Sequence, residues 1–176
     1  MSVSGSRQPR GVEVREARPG DGQGCAAAWS DAGRHMLELD PEVGQVPDAD
    51  GLTGWFEQSL GHSRPSGALW LVAERDGQVA GFVQGMIEPP RADARWQLQR
   101  DLAGHRLVIG ALAVCVSLRR SGVGTALMMA IEESGRAHGA TVAMLDTNLL
   151  SDLSVPFYEN RMAYRRRAVI FRKALG

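Results

Sequence analysis

Two arginines and two glycines, Arg119, Arg120, Gly122 and Gly124, stand where an apolar run, Leu112 to Val116, gives way to a stretch of helical periodicity. A strand–turn–helix passage of this kind aims several backbone N–H groups and the positive end of a helix macrodipole at one spot, which suits an anion. Glycine at 122 and 124 lets the backbone come close to a ligand and permits positive φ. The guanidinium groups of Arg119 and Arg120 match the oxygens of a pyrophosphate. Other phosphate loops fit these residues less well. A Walker loop needs Gly-Lys-Ser/Thr after its glycines, and no lysine stands there. A dinucleotide fingerprint needs a small residue three places beyond Gly124, where Leu127 stands, and it belongs in an N-terminal βαβ unit. A plain surface turn is the competing reading of this segment by itself.

A second pattern lies downstream: Phe157-Tyr158-Glu159-Asn160-Arg161-Met162-Ala163-Tyr164, a tyrosine-bearing helix followed by a small residue and an aromatic. Together with Arg119-x-x-Gly122-x-Gly124, it resembles the paired signatures of the GNAT (N-acetyltransferase) superfamily, and the likeness runs from about Val12 to Leu175. The resemblance implies acetyl-CoA as acyl donor and direct attack of a primary amine on its thioester. It implies that Leu112, Ala113 and Val114 lie on a strand splayed from its neighbour, where freed backbone groups pair with the pantetheine arm. The Val114 N–H is then the candidate donor to the thioester oxygen. Arg119, Arg120, Ser121, Gly122, Val123, Gly124 and Thr125 would hold the pyrophosphate, and Ser151 stands at the turn contacting the arm, where many relatives have asparagine.

Tyr158 is the expected general acid for the leaving thiolate. A phenol with a reference pKa near ~10 needs local help to protonate a thiolate whose thiol lies near ~8.5. The alternative for Tyr158 is a ring packed on the core with its hydroxyl at the rim, and Tyr164 is expected to pack. Relatives often use a carboxylate on a central strand as general base, but Arg106 to Cys115 contains no acid. Glu88, at the end of a hairpin strand, is the first choice; Asp146 and His105 follow, and ordered water is a further option. The chain departs from the family pattern in places. Arg120 and Ser121 stand where relatives often have glycine and a basic residue, Val116 replaces a common proline, and Ala163-Tyr164 replaces Gly-Phe.

These residues need elements to position them. Val12 to Ala17 alternates like a strand, and Asp21 can cap a helix whose apolar positions Cys25, Ala26, Trp29, Ala32 and Met36 recur at helical spacing. Asp40 to Asp50 is a proline-bearing acidic loop, and Asp50 can cap a short helix carrying Leu52, Trp55, Phe56 and Leu60. Trp29 and Trp55 read as core residues that could also line an acceptor pocket. For the acids Glu38, Asp40, Glu42, Asp48 and Asp50 there are two readings: they draw in a cation, or they are simply solvated. His62 to Gly67 is a break. Asp76-Gly77 between Ala68–Ala73 and Gln78–Ile87 predicts a hairpin, which Pro89-Pro90 ends. Arg91 to His105, with Trp96, is helix or loop. Arg106 to Val116 reads as a buried strand, Gly122 to Ala137 as a helix with Leu127, Ala130 and Ile131 inward, and Thr141 to Thr147 as a strand. Ser154 to Met162 reads as a short helix with Pro156 in its first turn, and Arg167 to Lys173 as a last strand. The expected fold is α/β: a mixed, mostly antiparallel sheet flanked by helices.

The 176 residues suit one domain, residues 12–176, after a tail at 1–11 expected to be disordered. Twenty basic and twenty acidic residues balance, which gives no general drive toward nucleic acid or an anionic membrane. The N-terminus has no apolar segment of signal-peptide or membrane-spanning kind, so a cytoplasmic location is expected. Cys25 and Cys115 have no zinc-type spacing, no metal is expected, and both read as buried free thiols. The expected reaction is acetyl transfer to a small-molecule amine, with a homodimer left open. Two rivals remain: a catalytically silent acyl-CoA-binding module, and an acetyltransferase acting on protein N-termini or lysines.

Overall fold

The computed structural model describes residues 11–62 and 67–175. The expected tail therefore lies outside the described residues but for Gly11, as does most of the break at His62 to Gly67. The chain forms two compact units, one running to Asp146 and the other beginning at Thr147.

The first unit is built on a sheet of five strands: β1 (Glu13–Glu16), β2 (Ala68–Arg75), β3 (Gln78–Glu88), β4 (His105–Val114) and β5 (Ala140–Leu145). They lie in sequence order; β1 to β4 are antiparallel, and β4 and β5 run parallel. The mixed, mostly antiparallel sheet is as expected. Asp76 and Gly77 both take positive φ, 53° and 77°, the turn that matches the twist of a two-residue hairpin. A parallel pair needs a crossover, and helix α3 (Val123–Ala137) supplies it between β4 and β5.

Helices α1 (Gly22–Leu39) and α2 (Leu52–His62) cover one face of the sheet. There Cys25, Ala26, Ala28 and Phe56 meet Val72, Phe82 and Ala113 in one buried cluster, with Trp29 packed against it. α3 covers the other face through Val123, Leu127, Met128 and Ile131. Trp55 does not join the core: it is 52% exposed, because Phe56 takes the inward position of α2 and Trp55 meets it edge-on at 4.9 Å. Cys25 is buried as expected, and burial pushes its thiol pKa up to about 12; Cys115 is only half-buried.

Asp21 occupies the cap position of α1, but its carboxylate does not cap the helix. It accepts hydrogen bonds from Arg15 at 2.7 and 2.8 Å and from the Arg18 N–H at 2.9 Å. Burial alone would raise its pKa; the Arg15 and Arg18 hydrogen bonds outweigh that and hold it below the usual carboxylate range. Between β3 and β4, the stretch left open as helix or loop forms two 3-10 turns, Ala94–Trp96 and Arg100–Ala103, with Trp96 exposed under the Arg95 guanidinium.

In the second unit, one α-helical turn, α4 (Ser154–Pro156), runs into a π turn at Phe157–Arg161. The expected strand at Arg167 to Lys173 does not form among the described residues: the segment joins no ladder, and Val169, Ile170 and Phe171 are exposed. A strand needs a neighbour for its N–H and C=O groups, and β-forming side chains alone do not provide one.

Candidate functional site

A bulge in β4 shapes the site. Gln84 opposes Ala111 while Gly85 opposes Ile109, so Gly110 is an extra residue that bends the strand. The β4–β5 ladder ends at Ile109 and Leu145, just before that bend. Ala111 to Val114 therefore keep their ladder with β3 and, like Gly110, have none with β5. The Cys115 N–H donates to Ala80 O at 3.0 Å, so by antiparallel alternation the N–H groups of Val114 and Leu112 point away from β3, toward the open edge. Gln84 lies across Gly110: a Cβ added there would sit 2.6 Å from Gln84 Oε1.

The chain leaves this edge through a 3-10 turn at Val116–Leu118. Ser121 Oγ donates to Leu118 O at 2.6 Å and closes the turn, leaving Arg120 exposed at φ 62° and Gly122 at φ 91°. Gly122 caps α3 with no side-chain hydrogen bond, and no acid stands in the first turn. The Ala126 N–H is the one that returns to Gly122 O, so Val123, Gly124 and Thr125 have N–H groups without intrahelical acceptors. Gly124 is helical; its value lies in its small side chain, not in positive φ.

Arg119 is engaged elsewhere in the first unit. Its Nη2 donates to the main-chain O of Asp31, on α1, at 3.1 Å. The Asp31 carboxylate accepts the Val116 N–H at 2.7 Å and is paired with Arg34. Nothing in the sequence singled out Asp31, since an acid on an amphipathic helix usually faces water.

The three candidates for the base separate by register. Glu88 opposes Arg106 and is ion-paired with it at 2.7 Å. From Arg106 to Val114 along a strand is roughly 25 Å, and to Gly110 about 13 Å, at ~3.3 Å per residue. Direct proton transfer needs contact or one bridging water, so Glu88 does not stand where a base beside the open edge is needed. His105 is farther still. Asp146 follows Leu145, the last partner of Ile109, and is exposed beside the point where β4 bends away.

Arg106 is a residue that sequence reasoning passed over. Its side chain is 9% exposed, against 41% for Glu88, and its Nε has no partner. The pair lies on the sheet face shared with Gln84 and Met86, beyond the cover of the α1–α2 cluster. The acids of the α1–α2 loop are solvated or turned on the loop itself, as where Asp48 accepts the Asp50 N–H at 3.0 Å. Among the described residues, no group of three or more His, Cys, Asp or Glu could hold a metal ion, and no helix is long and apolar enough to cross a membrane.

In the second unit, Ser151 is 2% exposed and its Oγ accepts the Ser154 N–H at 3.0 Å, capping α4. Pro156 follows within the first turn, where a missing N–H costs nothing. Tyr158, half-buried, sits in the π turn, edge-on to Phe157 at 5.1 Å and to Tyr164 at 6.0 Å. Ala163 at φ 59° reverses the chain, and the Tyr164 N–H returns to Tyr158 O at 2.9 Å. Rings on both sides and this backbone closure fix where the Tyr158 ring stands within the unit.

Comparison with known proteins agrees with this fold. The family model described as the acetyltransferase (GNAT) family matches residues 31–164. An acetyltransferase of Trypanosoma brucei is 25% identical, with 93% of this chain and 99% of that one covered, at a TM-score of 0.61. The glucosamine-6-phosphate N-acetyltransferase of Arabidopsis thaliana is similar over 94% of this chain and 99% of its own, at 13% identity and a TM-score of 0.61. An aminoglycoside acetyltransferase from an uncultured soil metagenomic sample covers 94% of this chain and 97% of its own, at 15% identity and a TM-score of 0.60. No curated protein matches by sequence.

Proposed function

Because the chain belongs to the GNAT acetyltransferase family, we propose that it transfers the acetyl group of acetyl-CoA to a primary amine on a small molecule. The observation that carries this reading is the passage from an unpaired strand edge, through an arginine- and glycine-bearing turn, to a helix start without a side-chain cap. The donor set suits a molecule with an amide-bearing arm and a diphosphate. Leu112 and Val114 offer N–H groups along the edge, with Ala113 between them. Ser121, Gly122, Val123, Gly124 and Thr125 form the turn and first helical residues, where N–H groups and the macrodipole favour a diphosphate. Arg120 is exposed beside them, and Arg119 is read as holding the turn as well as adding charge. Ser151 is read as lining the arm through its backbone, its hydroxyl being the cap of α4.

Acetyl-CoA, when bound, supplies an activated acyl group. The Val114 N–H is oriented to stabilise negative charge on an acyl oxygen at the edge. Tyr158 Oη is assigned to protonate the departing sulfur, with the Phe157 and Tyr164 rings limiting its motion. Water beside Asp146 is assigned to take the proton of the attacking ammonium, in place of Glu88. Neighbours named for glucosamine-6-phosphate and aminoglycosides favour a small amine as acceptor.

The test is calorimetric titration with acetyl-CoA, followed by thiol release on adding amino sugars, aminoglycosides, arylalkylamines and lysine peptides. Tight binding with release on a small amine supports the proposal. Release with peptides alone moves the acceptor to proteins. The absence of an acid from β4 favours the second reading, an acyl-CoA-binding module, and binding without any release would select it. No binding at all would refute both.

A further inference from the structure

We propose that Asp31 is a positioning residue that latches the strand-to-helix turn in its anion-receiving shape before any ligand arrives; this rests on the reading of that turn as the coenzyme A site. The turn begins at Val116, whose N–H is bound by the Asp31 carboxylate at 2.7 Å, and it passes through Arg119, whose guanidinium is bound by the Asp31 main-chain O at 3.1 Å. One residue of α1 thus grips both the start of the turn and its first arginine. The Val116 bond is charge-assisted and short. Asp31 itself is held by its helix and by the neighbouring Arg34.

The need for a latch is visible in the turn. Arg120 adopts the left-handed conformation without being glycine, at φ 62°. That conformation is unfavourable for a side chain with a Cβ, so a free turn would spend time in other shapes. Holding it from α1 removes ordering that binding would otherwise have to supply.

The sign of the effect distinguishes a latch from a mere charge. An acid near a diphosphate repels it, so if Asp31 acted only through charge, Asp31→Ala would tighten binding. A latch predicts the reverse. Asp31→Ala should weaken coenzyme A binding about tenfold by calorimetry, the usual scale for losing a charge-assisted bond. It should also speed hydrogen exchange at the Val116 amide while the amides of β4 that pair with β3 keep their protection. Asp31→Asn keeps an oxygen to accept that N–H and removes the repulsion, so its affinity should equal or exceed that of the unaltered protein. Arg119 remains bonded to a main-chain oxygen in both variants.

Unchanged or tighter binding by Asp31→Ala overturns the latch, as does a loss in Asp31→Asn as large as in Asp31→Ala. Should Asp31→Ala fail to fold, exchange in the unaltered protein decides: a Val116 amide exchanging at the rate of open coil overturns the latch, and a protected one supports it. If the unaltered protein binds no coenzyme A, the functional reading fails, while Val116 protection still reports on the latch itself.

Discussion

The turn at Cys115 to Gly122 and the turn at Phe157 to Tyr164 carry the two sequence patterns, and they are held in different ways. In the first, Val116 and Arg119 are bonded to Asp31 on α1, far away in the sequence. In the second, several bonds join near neighbours: Ser151 to Ser154, Phe157 to Met162, Tyr158 to Tyr164. Both place a non-glycine residue in the left-handed region, Arg120 and Ala163. The comparison teaches that similar local strain can be sustained by tertiary anchors or by local closure. A defect in the first turn should therefore spread to the sheet-and-helix unit.

The largest effect should come from filling the helix start. Gly124→Val puts a branched side chain where a diphosphate must approach, and acetyl-CoA affinity should fall at least ~100-fold, or about 2.7 kcal/mol, with the fold retained. Unaltered affinity in a folded variant would remove the first turn from the site.

Tyr158→Phe comes next and isolates the second turn. The ring contacts persist and the transferable proton is lost, so turnover should fall roughly 100-fold, with acetyl-CoA affinity and Tm nearly constant. The alkaline limb of the pH–rate profile should also change. Near-normal turnover at saturating substrate would make Tyr158 a packing residue; failure to bind acetyl-CoA would make it a positioning group.

The third prediction tests whether acid weakens the anchored unit. Asp21 has a pKa below that of an unfolded chain, so its contribution is present above about pH 4 and lost as pH falls through the native value. Asp21→Asn should cost about 2 kcal/mol near neutral pH and flatten the fall in Tm below about pH 4. An acid dependence identical to that of the unaltered protein would show that other carboxylates govern it.

The smallest effects concern the strained residues themselves. Arg120→Gly and Ala163→Gly each remove a left-handed penalty and add chain entropy to the unfolded state, leaving a gain of about 0.5 kcal/mol. Denaturant unfolding would read this as a higher midpoint at constant slope, and a loss of stability would show that neither turn is strained.

Much of this architecture is legible in the sequence because its determinants are local. Asp76-Gly77 specifies a hairpin within four residues, and Gly122 marks a helix start where a left-handed cap is required. The alternation of β3 and the helical spacing of α1 and α3 give their inward faces. What sequence leaves hidden depends on register. The bulge at Gly110 appears only when β3 and β4 are aligned, and it decides that Asp146, not Glu88, lies beside the open edge. Asp31 is hidden for a related reason, since its partner amide is distant in sequence. Trp55 and Arg167 to Lys173 show the opposite failure: their local pattern is clear, but burial and pairing depend on space or partners that these segments lack.

The early end of the β4–β5 ladder also acts as a ruler. Gly110 to Val114 spans about 13 Å at ~3.3 Å per residue, and that length is open along its far edge only because β5 stops pairing at Ile109. On the proposed reading, a donor must reach from the helix start onto that edge for its acyl group to meet the Val114 N–H. Truncated thioesters that lack the diphosphate or part of the arm can occupy one mark on that scale or the other. On that reading, the edge would select an acyl donor by length before any side chain reads its chemistry.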